Sequence, residues 1–154
     1  MNKRKIMIFI VEDEDVLRDF LRMFFGRMGY SVATASNGVE ALDRFRDMKP
    51  DIAIMDNHMP EMNGIDVLRS LKSSDANRVI MMSSDNRIFS ESIRLGAADF
   101  VCKPFNLRFM EKIVLMHLRY LRMSGRRNRA GLYHTSPPPP DPEVAFRRRS
   151  SARL

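Results

Sequence analysis

The stretch DIAIMDNHMP spans residues 51–60. Its apolar run leads straight to the carboxylate of Asp56, and Pro60 interrupts the chain four residues later. A short apolar run without polar alternation suits a strand buried on both faces. An acid at the mouth of such a strand is a turn residue, a metal ligand or a nucleophile. The sequence on either side has to decide between them.

Outward from this point two periods alternate. Ile6–Val11 (IMIFIV) is a second continuous apolar run. Residues 14–28 place Val16, Leu17, Phe20, Leu21, Phe24, Phe25 and Met28 at helical spacing, which predicts one wide apolar face, with Gly29 as the stop. SVATA at 31–35 predicts a strand. Asn37, with Glu40 three residues on, predicts a capped helix to Met48, ended by Lys49-Pro50. After the strand Asp51–Met55, helices are expected over Ile65–Lys72, Asn86–Leu95 and Asn106–Leu121. Strands are expected over Val79–Met82 and Ala98–Cys102. Gly96 would end the second of these helices, and Asn106 would cap the third. Five strands alternating with five helices imply an α/β domain: a parallel sheet, helices on both faces and right-handed crossovers.

Composition sets the limits. A chain of 154 residues allows one ordinary domain. No apolar run approaches the roughly 18–20 residues that span a bilayer. The N-terminus is basic and then apolar, but its apolar run ends after six residues in four acids, Glu12–Asp15. A signal peptide needs a longer apolar region, so a cytoplasmic location is expected. The single Cys102 permits no disulfide within the chain. The net charge of +7 is unevenly placed. Residues 1–121 hold 18 Lys/Arg against 17 Asp/Glu, and residues 122–154 hold 8 Arg against 2 acids. A nearly neutral domain therefore carries a basic tail, and only the tail has the profile for an anionic partner.

In an open parallel sheet ligands bind beyond the carboxyl ends of the strands. Functional residues should therefore follow strands rather than lie inside them. Glu12 and Asp13 follow the first strand, Asp56 the third, Ser83 and Ser84 the fourth, Lys103 and Pro104 the fifth. Each alone has a plain reading as a cap, a turn residue or a solvated charge. His58, His117 and His134 are isolated in sequence, which favours surface or packing roles, and the thirteen methionines are mostly core filler. Together, three acids, a hydroxyl and an ammonium at one crevice suit a divalent cation. The oxygen-only set favours Mg2+ over zinc. Asp56 is then a candidate nucleophile toward phosphorus, a reaction that needs positioning and charge neutralisation above all.

VEDE at 11–14, IMDNHMPEMNG at 54–64, MSS at 82–84 and FVCKPF at 100–105 resemble, in order and spacing, the receiver domain of bacterial two-component response regulators. The resemblance covers residues 4–122 and implies a doubly wound (βα)5, flavodoxin-like fold with strand order 2-1-3-4-5. It implies that Asp56 accepts a phosphoryl group from a histidine kinase or phosphotransfer protein. Mg2+ would be bound by Asp13, Asp56 and the backbone carbonyl of His58, and by Glu12 through a water. Ser83 and Lys103 would hold phosphoryl oxygens. Pro104 matches a family proline that often follows a cis peptide. Ser83 and Phe100 would form a switch that reshapes the face of the fourth helix, fifth strand and fifth helix for an unknown downstream protein. A permanently buried core residue is the other reading of Phe100. His58 and Asp85 occupy positions that tune phosphoryl lifetime. The resemblance also implies a signalling module rather than an enzyme, as a monomer or a phosphorylation-dependent dimer.

Three departures are visible: Glu12 for the commoner aspartate, Ser83 for threonine and Ser84 for alanine. Aspartyl-phosphate phosphatases usually carry a second aspartate two residues after the nucleophile. Here that position is His58, which argues against a true phosphatase. No glycine-rich phosphate cradle follows the first strand, which argues against a nucleotide binder. Residues 123–154, with the run Pro137–Pro140 and few apolar side chains, are expected to be a disordered tail. That tail is either inert or a weak electrostatic arm for nucleic acid or an anionic surface.

Overall fold

The computed structural model describes residues 5–128. The strands are β1 (Met7–Val11), β2 (Ser31–Ala35), β3 (Ile52–Asp56), β4 (Val79–Ser83) and β5 (Asp99–Cys102). The helices are α1 (Asp15–Arg27), α2 (Gly38–Met48), α3 (Gly64–Ser70), α4 (Phe89–Arg94) and α5 (Leu107–Asn128). A helical turn at Ser73–Ala76 and a 3-10 turn at Asn86–Ile88 lie between them. The five strands form one parallel sheet in the order β2-β1-β3-β4-β5. This is the doubly wound order, with a switch between β1 and β3.

The apolar runs have a direct cause: successive residues feed two separate cores. Phe9, Val11, Ala53, Met55, Val79, Met81 and Phe100 point to one face, under Ala41 and Phe45 of α2 and Ile65, Val67 and Leu68 of α3. Ile8, Ile10, Ile52, Ile54, Ile80, Met82 and Val101 point to the other, under Leu21 and Phe25 of α1 and Met110, Ile113, Val114 and Leu118 of α5. Each fully buried large side chain contributes roughly 1.5–3 kcal/mol. Truncating Phe25, which is 0% exposed, would cost about 3–5 kcal/mol.

The local signals act much as expected. Asn37 Oδ1 accepts the Glu40 N–H at 2.8 Å. The return bond is donated by the Ser36 N–H, one residue before the cap, and Glu40 Oε2 accepts it at 3.0 Å. Asn106 Oδ1 accepts the Arg108 N–H at 2.8 Å and so opens α5. Gly29 and Gly96 take φ of +89° and +100° and stop α1 and α4 in a conformation that side chains disfavour.

Four expectations need correction. The wide apolar face of α1 is only half used: Leu21 and Phe25 are buried, while Val16 is 76% and Phe20 53% exposed. The helix expected over Ile65–Lys72 stops at Ser70, because Leu71 turns extended and packs its side chain against the core. The last helix runs past Leu121 to Asn128. β3 and β4 each extend one residue further than expected, to Asp56 and Ser83. Two of the candidate residues therefore end strands instead of following them, since ladder pairing continues through Asp56↔Met82 and Ser83↔Cys102. His134, the proline run and the distal arginines of the tail lie outside the described residues.

Candidate functional site

The strands converge at their carboxyl ends. β1 delivers Glu12 and Asp13, β3 delivers Asp56, and the exit from β5 delivers Lys103 across a cis Lys103–Pro104 peptide. Glu12 is held from both sides. Its backbone N–H donates to Ala35 O at 3.1 Å, and its own carbonyl accepts Arg18 Nη1 at 2.9 Å. Arg18 also reaches the Asp13 carbonyl at 3.3 Å and pairs with Asp15, so one α1 guanidinium braces the acidic loop. Asn57 fixes the loop after β3. Its N–H donates to Met82 O at 3.0 Å, and its Oδ1 accepts the Ile65 N–H at 3.1 Å. Gly64 begins α3 where the chain passes closest to this loop. A Cβ there would sit 2.6 Å from Asp56 O, so a side chain would push the acid out of place.

One carboxylate oxygen each from Glu12, Asp13 and Asp56 lies within 4.8 Å of the others. Glu12 and Asp56 are 1% and 3% exposed, whereas Asp13 faces solvent. Lys103 Nζ bridges the two buried acids, at 2.8 Å from Glu12 Oε2 and 2.9 Å from Asp56 Oδ1. Burial pushes the Glu12 carboxyl above its usual range; Lys103 opposes this and the Asp56 charge adds to it. Burial also disfavours the charged Lys103, but its bonds to Glu12 and Asp56 outweigh that and hold the ammonium above its usual value. The cost falls on Glu12 because its side chain is 1% exposed against 22% for Lys103. The donor atoms are all carboxylate oxygens, which fits a hard cation such as Mg2+ and not a thiophilic or imidazole-seeking one.

Ser83 is fully buried at the end of β4, and its hydroxyl faces the neighbouring loops. Oγ accepts the Asp85 N–H at 3.0 Å and lies 3.4 Å from His58 Nδ1. Asp85 is clamped in turn by Arg87, whose N–H and Nε reach Oδ1 at 3.0 and 2.8 Å and whose Nη2 reaches Oδ2 at 2.8 Å. Those Arg87 bonds hold the Asp85 carboxyl down at about 2. Phe100 is 3% exposed and packs edge-on against Phe89 of α4, with ring centroids 5.7 Å apart.

The candidates are thus brought together with one qualification: the Ser83 hydroxyl is partnered by His58 and Asp85, while Lys103 meets Ser83 through the backbone, its N–H donating to the Ser83 carbonyl at 2.9 Å. His117 lies elsewhere, buried between α5 and β5 with Nε2 3.0 Å from Asp99 Oδ2, a packing role. Sequence reasoning missed the Arg18 brace, the Asn57 tie, the Gly64 approach and the Arg87 clamp. The Arg18 position carried a usable signal, since a cation on the first turns of a helix after four acids has an obvious partner. Asn57 and Gly64 carried none, because their partners are backbone atoms set by tertiary packing.

A profile of the response regulator receiver domain family matches residues 8–115. The chemotaxis protein CheY of Thermotoga maritima is 40% identical over 109 residues, covering 68% of this chain and 88% of that protein. The regulatory protein AtoC of Escherichia coli is 39% identical over 119 residues, which is 75% of this chain but only 26% of that longer protein. Among solved structures, a response regulator receiver domain protein of Clostridium thermocellum superposes with a TM-score of 0.71 at 22% identity, over 77% of this chain and 98% of that one. The parallel 2-1-3-4-5 sheet, the acidic cluster and these likenesses agree: the chain belongs to the response regulator receiver domain family.

Proposed function

We propose that Asp56 accepts a phosphoryl group from a phosphohistidine on a histidine kinase or phosphotransfer protein. The acyl phosphate then switches the face of α4, β5 and α5 for a downstream protein. In the transfer an Asp56 carboxylate oxygen bonds to phosphorus, the N–P bond breaks, and the imidazole leaves and takes up a proton from water. The observation that carries this reading is one ammonium shared by two buried acids, Lys103 to Glu12 at 2.8 Å and to Asp56 at 2.9 Å, with Asp13 alongside. Such a site is short of positive charge and poised to exchange partners. Asp13, Asp56 and the His58 carbonyl, with Glu12 through a water, would hold Mg2+, which when bound neutralises the acids and the phosphoryl oxygens. Lys103 leaves its carboxylates for one phosphoryl oxygen and Ser83 donates to another.

Two surfaces fit the partners. Val16, Phe20 and Met23 form an exposed apolar stripe on α1, which starts beside the acids and offers a seat for the donor protein. Phe89 and Ile93 are partly exposed on α4 above Phe100, where inward movement of Ser83 would be read out. Incubation with a small acyl phosphate and Mg2+ should add one phosphoryl group per chain, and Asp56→Asn should abolish it. An unlabelled wild-type chain, or full labelling of Asp56→Asn, overturns the reading.

A further inference from the structure

Ser83 has one hydroxyl proton and two lone pairs to place. The Asp85 N–H takes one lone pair at 3.0 Å. The nitrogen on the other side is His58 Nδ1, at 3.4 Å. In the imidazole tautomer that carries its proton on Nε2, Nδ1 is an acceptor, and the contact then takes the Ser83 hydroxyl proton. We propose that His58 is a latch on the switch hydroxyl: it holds the one proton that Ser83 gives to the phosphoryl group once Asp56 is modified.

This inference rests on the proposed phosphorylation of Asp56 and adds a competition to it. A hydroxyl with one proton cannot serve two acceptors. In the resting chain the acceptor is His58. In the phosphorylated chain it is a phosphoryl oxygen, which carries more negative charge and wins the exchange. The latch therefore opposes the active arrangement and is released by it. The Arg87–Asp85 clamp has a supporting part. Three bonds at 2.8–3.0 Å fix the Asp85 carboxylate, and with it the backbone N–H that aims the Ser83 oxygen. His58 is exposed and sits on a loop, so its side chain is free to move aside without disturbing either core. His58 is thus a positioning residue acting through Ser83, separate from the metal role proposed for its carbonyl.

The test uses the full chain with Mg2+ and beryllium trifluoride, which attaches to a carboxylate oxygen with the tetrahedral geometry of a phosphoryl group. Binding is followed by the backbone amide signals of Ser83, Asp85 and Lys103. His58→Leu removes the competing acceptor and should tighten binding about fivefold, the factor for one ordinary neutral hydrogen bond. His58→Asn, whose Oδ1 takes the place of Nδ1, should restore the weaker affinity. In a Ser83→Ala background His58→Leu should have no effect, since the proton it contests is gone. The inference is overturned if His58→Leu leaves the affinity unchanged or weakens it. It is also overturned if the gain persists in Ser83→Ala, which would mean that His58 acts through bulk or charge. A wild-type chain that takes no beryllium trifluoride at Asp56 would instead sink the phosphorylation reading itself.

Discussion

Among the described residues two places bury carboxylates, and they do so in opposite ways. Between β5 and α5, Asp99 Oδ1 accepts the Phe100 N–H at 2.7 Å and Oδ2 accepts His117 Nε2–H at 3.0 Å. Burial pushes the His117 imidazole down to about 4, so at neutral pH the ring is uncharged and acts as a plain donor. At the carboxyl edge of the sheet, Glu12, Asp13 and Asp56 crowd within 4.8 Å, and the two buried acids, Glu12 and Asp56, share the Lys103 ammonium. The first arrangement is closed, with its hydrogen bonds already made. The second is short of cation and keeps acceptor capacity in reserve. Buried charge that is satisfied locks two elements together, whereas buried charge left under-compensated makes a site for something else to bind.

The contrast can be broken at either end. Mg2+ should stabilise the fold by mass action, by about 2.7 kcal/mol at a hundredfold excess over Kd. Thermal unfolding with and without the ion measures this, and Asp13→Asn, an exposed substitution, should erase the rise. His117→Ala should cost about 2 kcal/mol in urea unfolding, through a lost hydrogen bond and the space left behind. The loss should leave phosphorylation of Asp56 intact, which separates the closed pair from the open site.

The smallest effect is the pH dependence. His117 has a folded pKa of about 4, below its ordinary 6.5. Below pH 6.5 the unfolded chain takes up a proton that the folded chain refuses. The stability contributed by His117 is complete above that pH and is lost as pH falls toward 4. Between pH 7 and 5.5 the loss should reach about 1.2 kcal/mol, and His117→Gln should flatten this part of the profile.

Much of this was legible in the sequence, for identifiable reasons. A parallel sheet covered on both faces turns each strand into an unbroken apolar run, so β1, β3 and β4 stood out. The acids, Ser83 and Lys103 were found because topology sends strand ends to one edge. Helix faces were less legible. Periodicity marks a stripe but does not say how much of it the sheet covers, and Val16 and Phe20 of α1 stay exposed. Pairings distant in the chain were also hidden. Lys103 lies 91 residues from Glu12, and nothing local marks that bond. His117 read as an ordinary surface or packing residue, and only the fold set it against Asp99.

The central claim is that Asp56 is the residue that takes phosphate. Mass spectrometry of the full chain after treatment with an acyl phosphate, followed by peptide mapping, tests it most directly. The account expects a single phosphoryl group on the peptide holding Asp56, formed only with Mg2+, removed by hydroxylamine as an acyl phosphate is, and absent from Asp56→Asn. Phosphate on His58, on a serine or on any other residue, or an unmodified wild-type chain, would contradict it.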